Sequence, residues 1–385
     1  MFLNKKLFLI LCFLSCTYNV FSTTQLSVTK DNLPIFYHDL KDDITFPLGW
    51  KENSNFNTWK QLGLEKTKEF IVPNLKKFNF NMEIVSEVDR GSYIGQKILF
   101  NITPNLKISA LLLTPKGIGP FPAALMLHDH GAKFDIGKEK LIMPWGDEKK
   151  LISAQNWSKK YFSGVFPGDE LTKKGYVVLA IDTLGWGERQ GNGYEAQQAL
   201  ASNLFNLGTS YASIIAQEDI KSAEFLTSLP QVDKNKVAAI GFSMGAFRAW
   251  QVAALSENIK AGISVCWMAT LKGLMTEGNN QLKGQSAYAM LHPYLVKYMD
   301  YPDIASLAAP KPMLFFSGEQ DSLFPKPSVM EAFEQMNKVW KASGFKENFQ
   351  YKFWNKGHVF EKEQQVEAFE WLDKQFKNGY VTTNS

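Results

Sequence analysis

Ser243, Asp321 and His358 follow one another along a chain of 385 residues and supply a hydroxyl, a carboxylate and an imidazole. Those are the groups that attack a carbonyl carbon through a covalent intermediate, because a serine is a weak nucleophile until a base takes its proton. Ser243 lies in Gly241-Phe242-Ser243-Met244-Gly245, directly after the apolar run Val237-Ala238-Ala239-Ile240 and directly before a helical pattern. A strand that turns sharply into a helix lifts the serine Oγ above the sheet, and the flanking glycines permit the close backbone approach. Met244 then opens the helix, where its N–H faces an oxyanion formed by attack of Oγ. Only five histidines are present, and His358, between the last strand pattern and the last helix pattern, is the one placed to act as base. The run Met313 to Ser317 leads into Gly318-Glu319-Gln320-Asp321, so Asp321 is expected to orient the imidazole, with Glu319 on the same turn as the rival.

A second oxyanion donor is expected from the backbone of His128-Asp129-His130-Gly131-Ala132-Lys133, which follows the strand pattern Ala123 to His128. Ala132 is the first choice, with Gly131 and His130 as alternatives; one such donor contributes about 3–4 kcal/mol to the transition state. His128 and His130 could be read as a metal pair, but no third ligand of suitable spacing accompanies them, so neither a metal nor a cofactor is expected. His130, Lys133, Trp186 and Arg248 are candidate substrate contacts; Arg248 could face an anionic sugar, and packing of its stem on the sheet fits equally well. Trp145 and Trp157, with Trp186, could stack on sugar faces, although burial is the ordinary fate of tryptophan. Asp182, Glu188 and Arg189 follow a strand end and should build the loop beside the site. His292, before Pro293, reads as a satisfied loop histidine, and Cys266, in Ile263-Ser264-Val265-Cys266-Trp267, as a small buried hydrophobe.

The elements that must hold these residues alternate. Strand patterns at Lys107 to Thr114, Ala123 to His128, Val177 to Ile181, Val237 to Ile240, Ile263 to Val265, Met313 to Ser317 and Phe349 to Phe353 are separated by helical ones at Ser213 to Leu229, Met244 to Leu255, Ser328 to Lys341 and Glu361 to Phe376. Continuous apolar runs suit strands buried on both faces, so a doubly wound, mostly parallel sheet with helices on both sides is expected, its ligand at the carboxyl ends of the strands. Residues 23–95 read as an N-terminal extension, with a helix over Asn57 to Val72, packed on a catalytic domain spanning 96–385. Residues 137–174 read as an insertion near the strand tops.

The serine–acid–histidine order, the Gly175-Tyr176-Val177-Val178-Leu179-Ala180-Ile181-Asp182 strand with its Gly-Trp-Gly-Glu-Arg tail, Val232-Asp233 ahead of the serine and Ala309-Pro310-Lys311-Pro312 ahead of the acid together resemble one group. It is the acetyl xylan esterase and dienelactone-hydrolase-like branch of the α/β-hydrolases, and the resemblance runs from about Phe46 to the C-terminal helix. It implies catalytic positions at Ser243, Asp321 and His358 and a carbohydrate esterase of the exported bacterial kind. Two departures stand out: Lys311 replaces the group's arginine between the prolines, and His128-Asp129-His130 replaces a plain glycine-rich turn.

Composition bounds the rest. Lys5 and Lys6 precede the apolar run Leu7 to Leu14, a signal-peptide layout over residues 1–22, too short to span a bilayer. Cleavage after Ser22 gives a secreted or periplasmic protein; lipidation at Cys16 gives an outer-membrane lipoprotein. Without the leader the formal charge falls from +4 to +2, and the basic residues are scattered, so nucleic-acid binding is not expected. The expected activity is a serine carboxylesterase removing ester substituents from polysaccharides, acetyl groups first. The alternatives are a methylesterase on uronic acid esters, a serine peptidase of the oligopeptidase type, and a non-catalytic binding module.

Overall fold

The computed structural model describes residues 37–72 and 75–377, and the leader expected over residues 1–22 lies outside them. Among the described residues no helix is long and apolar enough to cross a membrane. Nine strands form one sheet: β1 (Glu83–Asp89), β2 (Tyr93–Thr103), β3 (Leu106–Pro115), β4 (Phe121–Leu127), β5 (Val177–Ile181), β6 (Val232–Phe242), β7 (Ala261–Val265), β8 (Met313–Gly318) and β9 (Phe349–Trp354). Their order is β1-β2-β3-β5-β4-β6-β7-β8-β9. β1, β2, β3 and β5 pair antiparallel in turn, while β5, β4, β6, β7, β8 and β9 are parallel. Every strand expected from the sequence is present. The central strands β5, β7 and β8 are buried along their whole length, as two-sided helix cover requires.

Two apolar layers lie against opposite faces of the sheet. One gathers Leu125, Leu179, Phe247, Trp250, Trp267 and Trp340, and the other Met126, Val178, Ile240, Phe316, Phe369 and Trp371. Alternate residues of one strand, Leu125 and Met126, enter different layers because side chains alternate across a sheet.

Two boundaries differ from the sequence reading. β1 and the start of β2 fall within the residues read as an extension, yet they belong to the sheet. The burial of β1 is nearly nil, and its Glu83, Glu87 and Asp89 line an exposed edge, so no apolar alternation marks it. Of the rest of that region, the described residues include a helix that packs on the core. The helix Phe56–Ile71 is capped by the Asn55 side chain, its Trp59 indole donates to Leu48 O (2.9 Å), and Gln217 Nε2 reaches the Ile71 carbonyl (2.9 Å). Residues 137–174, read as an insertion, hold the helices Glu148–Tyr161 and Pro167–Lys173 and make the crossover between the parallel neighbours β4 and β5.

Candidate active site

At the end of β6 the chain turns at Ser243, whose φ of 55° and ψ of −126° lie in a region that side chains rarely adopt. Its neighbours explain the glycines: a Cβ on Gly241 would sit 2.0 Å from Gly245 O, and one on Gly245 only 1.9 Å from Leu127 O. Ser243 N–H donates to Val265 O (2.8 Å), and its carbonyl accepts from Ala246 N (2.7 Å), so strand, turn and helix Met244–Leu255 are tied together. Met244 occupies the first helical position, as expected.

Asp321 and His358 arrive on the loops after β8 and β9. These loops are joined by backbone bonds from Glu319 N to Trp354 O (2.8 Å) and from Gln320 N to Lys356 O (2.9 Å). His358 Nδ1 then meets Asp321 Oδ2 at 2.7 Å, and His358 Nε2 meets Ser243 Oγ at 2.8 Å. A neutral imidazole protonated on Nδ1 satisfies both contacts, donating to the carboxylate and accepting from the hydroxyl. The second oxygen of Asp321 accepts from Leu323 N (3.0 Å). Its carboxylate is wholly buried, whereas the His358 ring keeps 19% of its exposure, so the ring faces the solvent side while its partner is sealed. Phe324 stacks on the His358 ring and Phe242 packs at 4.8 Å, which limits the ring's rotation. Glu319, the rival acid, pairs with Lys326 at the surface (2.7 Å) and does not approach the histidine.

The Cys266 thiol is buried behind Asp321 and pushed well above the usual thiol range by burial and then by that carboxylate, which leaves it unreactive. Cys266, Asp321 and His358 are the one group of three metal-capable side chains brought together among the described residues. The ring nitrogens of His128 and His130, weighed as a metal pair, are all taken by the protein. His128 Nδ1–H donates to Asp129 O (2.9 Å) and its Nε2 accepts from Thr183 N (3.0 Å); His130 Nε2–H donates to Gln197 Oε1 (3.0 Å) and its Nδ1 accepts from Ala132 N (3.1 Å). Burial holds both rings neutral, His130 down to about 4 and His128 well below its ordinary range. The Ala132 N–H, first choice as second oxyanion donor, is therefore engaged within its own loop.

Above Ser243 lies a cavity of about 260 Å³. Its walls are His130, Gly131 and Ala132 on one side, Tyr161, Tyr194, Trp267 and Phe324 as aromatic surfaces, and Asn279, Asn280, Gln281 and Ser286 as polar ones. Among the described residues no Lys, Arg, Asp or Glu lines it. The amide-bearing wall comes from the connection between β7 and β8, which sequence reasoning passed over. The available signal was the length of that connection, since loops so long are commonly functional.

Of the candidate substrate contacts, only His130 lines this cavity. Trp186 is fully buried, and its indole N–H donates to His130 O (3.2 Å), so it supports the loop from behind. Arg248 is also buried and forms two bonds to Asp219, from Nε (2.9 Å) and Nη2 (2.6 Å). It braces the serine helix against the helix Tyr211–Ser228 and cannot meet a sugar. Lys133 pairs with Asp135 (3.0 Å) outside the cavity. Trp145 donates to Ser86 Oγ (3.1 Å) and Trp157 to Asp129 Oδ1 (3.1 Å), and neither lines the cavity. Asp182 accepts from Lys138 Nζ (2.5 Å) and Lys138 N (2.9 Å), and Arg189 grips Glu218 through both terminal nitrogens (2.7 Å each), a network that fixes the loop beside the site. Lys311, in the place of the expected arginine, donates to Ala253 O (2.8 Å) and Ser256 O (2.9 Å), capping the C-terminal end of the serine helix.

The family profile described as "Dienelactone hydrolase family" matches residues 167–377, a stretch that holds the serine turn, the acid loop and the histidine loop. The chain belongs to the dienelactone hydrolase family. It is a hydrolase with the α/β-hydrolase fold. Over 265 residues it is 28% identical to the "Putative hydrolase YtaP" of Bacillus subtilis (strain 168), covering 69% of this chain and 82% of the other. Among solved structures it is similar to the "putative acetyl xylan esterase (BF1801)" of Bacteroides fragilis, with a TM-score of 0.63, 18% identity and coverage of 85% and 84%. It is also similar to a glucuronoyl esterase of Solibacter usitatus, with a TM-score of 0.60, 15% identity and coverage of 86% and 98%.

Proposed function

We propose that this protein is a carbohydrate esterase that removes acetyl groups from a polysaccharide through an acyl-enzyme on Ser243. The observation that carries this reading is the unbroken hydrogen-bonded line Asp321–His358–Ser243 at the floor of a small cavity open to solvent. Ser243 Oγ attacks the ester carbonyl as His358 Nε2 takes its proton, and the buried Asp321 carboxylate stabilises the imidazolium. The tetrahedral oxyanion is met by Met244 N–H and by the Gly131–Ala132 turn, where the Ala132 hydrogen is shared with His130 Nδ1 or released by it. His358 returns the proton to the departing sugar hydroxyl, and water, activated by the same imidazole, frees the acyl group.

The neutral lining favours a small uncharged acyl group. A methyl ester of a uronic acid would bring its sugar ring to the acyl side of the cavity, but a glucuronoyl unit carried there meets no lysine or arginine among the described residues, and 260 Å³ is little room for it. An exported enzyme fits a polymeric substrate, with the leader over residues 1–22 cleaved after Ser22 or lipidated at Cys16.

Incubation with acetylated xylan, acetylated pectin and methyl-esterified pectin, followed by assay of acetate and methanol, tests the reading. Acetate release that disappears in Ser243→Ala is expected. Methanol without acetate would move the assignment to the methylesterase, and cleavage of a peptide panel without ester hydrolysis would move it to the peptidase.

A further inference from the structure

Lys140 closes the single-turn helix Lys138–Lys140, and its side chain is wholly buried. Its Nζ donates to Asp129 O (2.9 Å), to His130 O (2.9 Å) and, at greater length, to Asp129 Oδ2 (3.3 Å). Three acceptors match the three hydrogens of an ammonium and leave no place for the lone pair of a neutral amine. The Trp157 ring lies 4.7 Å from the cation. An ion pair buried in this way adds little stability over an apolar pair of like volume. What Lys140 does supply is directed donation to two carbonyls of the loop beside Ser243.

The second of those carbonyls bears on the oxyanion. His130 O also accepts from Trp186 Nε1 (3.2 Å), a fully buried indole, so two donors draw this oxygen toward the interior. The His130–Gly131 peptide is trans, and in a trans peptide the C=O and the N–H point in opposite directions. The Gly131 N–H is thereby turned outward, on the side where Gly131 lines the cavity of Ser243. Among the described residues nothing accepts from it, whereas the Ala132 N–H is held by His130 Nδ1. The turn is packed from beneath: a Cβ on Gly131, whose φ is 54°, would lie 2.1 Å from the Trp157 ring.

We propose that Lys140 is a positioning residue of the oxyanion hole: by anchoring and polarising the His130 carbonyl from behind, it aims the Gly131 N–H at the oxygen that becomes negative when Ser243 attacks an ester. The inference rests on the esterase reading, which supplies that oxygen. A cation bonded to the C=O of an amide draws electrons toward oxygen and makes the N–H at the other end a stronger donor. Charge grows on the substrate oxygen as its carbon turns tetrahedral, so the effect falls on the transition state and not on substrate binding.

The test uses the full chain and p-nitrophenyl acetate. Lys140→Met strands the Asp129 carboxylate and should melt at a lower temperature, so the kinetics are read in Lys140→Met with Asp129→Asn, where both charges are gone. This double variant should regain most of the lost Tm yet keep a kcat about ten- to hundredfold below wild type, with KM within about threefold. A trifluoromethyl ketone adds to Ser243 Oγ through its carbonyl carbon, its oxygen becoming the anion as His358 takes the hydroxyl proton, and should bind the double variant more weakly by the same factor. Trp186→Phe removes the other donor to His130 O with every charge kept, and should lower kcat about threefold at unchanged KM.

A double variant in which Tm and kcat both return to wild type would reduce Lys140 to a brace and overturn the proposal. If the double variant does not fold, Trp186→Phe decides, and an unchanged kcat there overturns it equally. An unaltered protein that hydrolyses no ester would instead overturn the catalytic reading, and the role of Lys140 with it.

Discussion

Replacing Arg248 with methionine separates a brace from a substrate contact. The guanidinium and the Asp219 carboxylate are each 1% exposed or less and are held by two bonds of 2.9 and 2.6 Å. Removal of the cation strands a carboxylate in the interior, which costs about 3–5 kcal/mol for buried pairs. Unfolding entropy of roughly 2.1 cal/mol/K per residue over about 340 residues converts this into a fall in Tm of about 4–7 °C. Because the cost arises from the orphaned partner, the double replacement Arg248→Met with Asp219→Leu should recover most of it, a coupling that a double-mutant cycle reads directly. Calorimetric unfolding of the four proteins supplies the stabilities, and KM for a neutral acetyl ester and for a uronate ester supplies the comparison. A single variant with unaltered Tm but a raised KM for the uronate ester alone would refute the reasoning and return Arg248 to the substrate.

Ser243→Ala should lower kcat by about 10⁶ with the fold intact, Asp321→Asn by about 10⁴, and Glu319→Gln scarcely at all; equal loss in Asp321→Asn and Glu319→Gln, measured with p-nitrophenyl acetate, would contradict the triad. Gly245→Ala places a Cβ 1.9 Å from Leu127 O and should abolish soluble, cooperatively unfolding protein, which a wild-type melting curve would disprove. His130, held near 4 in the fold against about 6.5 in the unfolded chain, makes the unfolded state bind more protons between those values. Stability is therefore lost as pH falls through that window, at about 1.4 kcal/mol per unit, and the gap between the protein and His130→Gln should narrow by about 2–3 kcal/mol from pH 7 to pH 4.5 in urea unfolding. A gap independent of pH would mean that His130 is not neutral in the fold.

The triad was legible because its parts are local: Ser243 between two glycines, Asp321 after β8 and His358 after β9 each follow a recognisable strand, and topology alone joins them. The same reasoning left Arg248 and Trp186 open between a substrate contact and burial, since a sequence shows a side chain's chemistry but not which face of its element is sealed. Both point into the interior, where Asp219 and His130 O occupy their polar groups. β1 escaped notice because its face is exposed and charged, so it lacks the apolar alternation that reveals buried strands. Ala132 was read from loop position, and the capture of its N–H by His130 depends on a positive φ of 54° that no spacing announces.

β9 is the last strand of the sheet and pairs with β8 alone, and the loop bearing His358 hangs from it. The two backbone bonds that fasten this loop to the acid loop are thus the final stitches of an open hem. Fraying there costs far less than melting the centre. Warming should silence the enzyme while most of its spectroscopic signature survives, and stitching the hem would extend working life without any change to the chemistry.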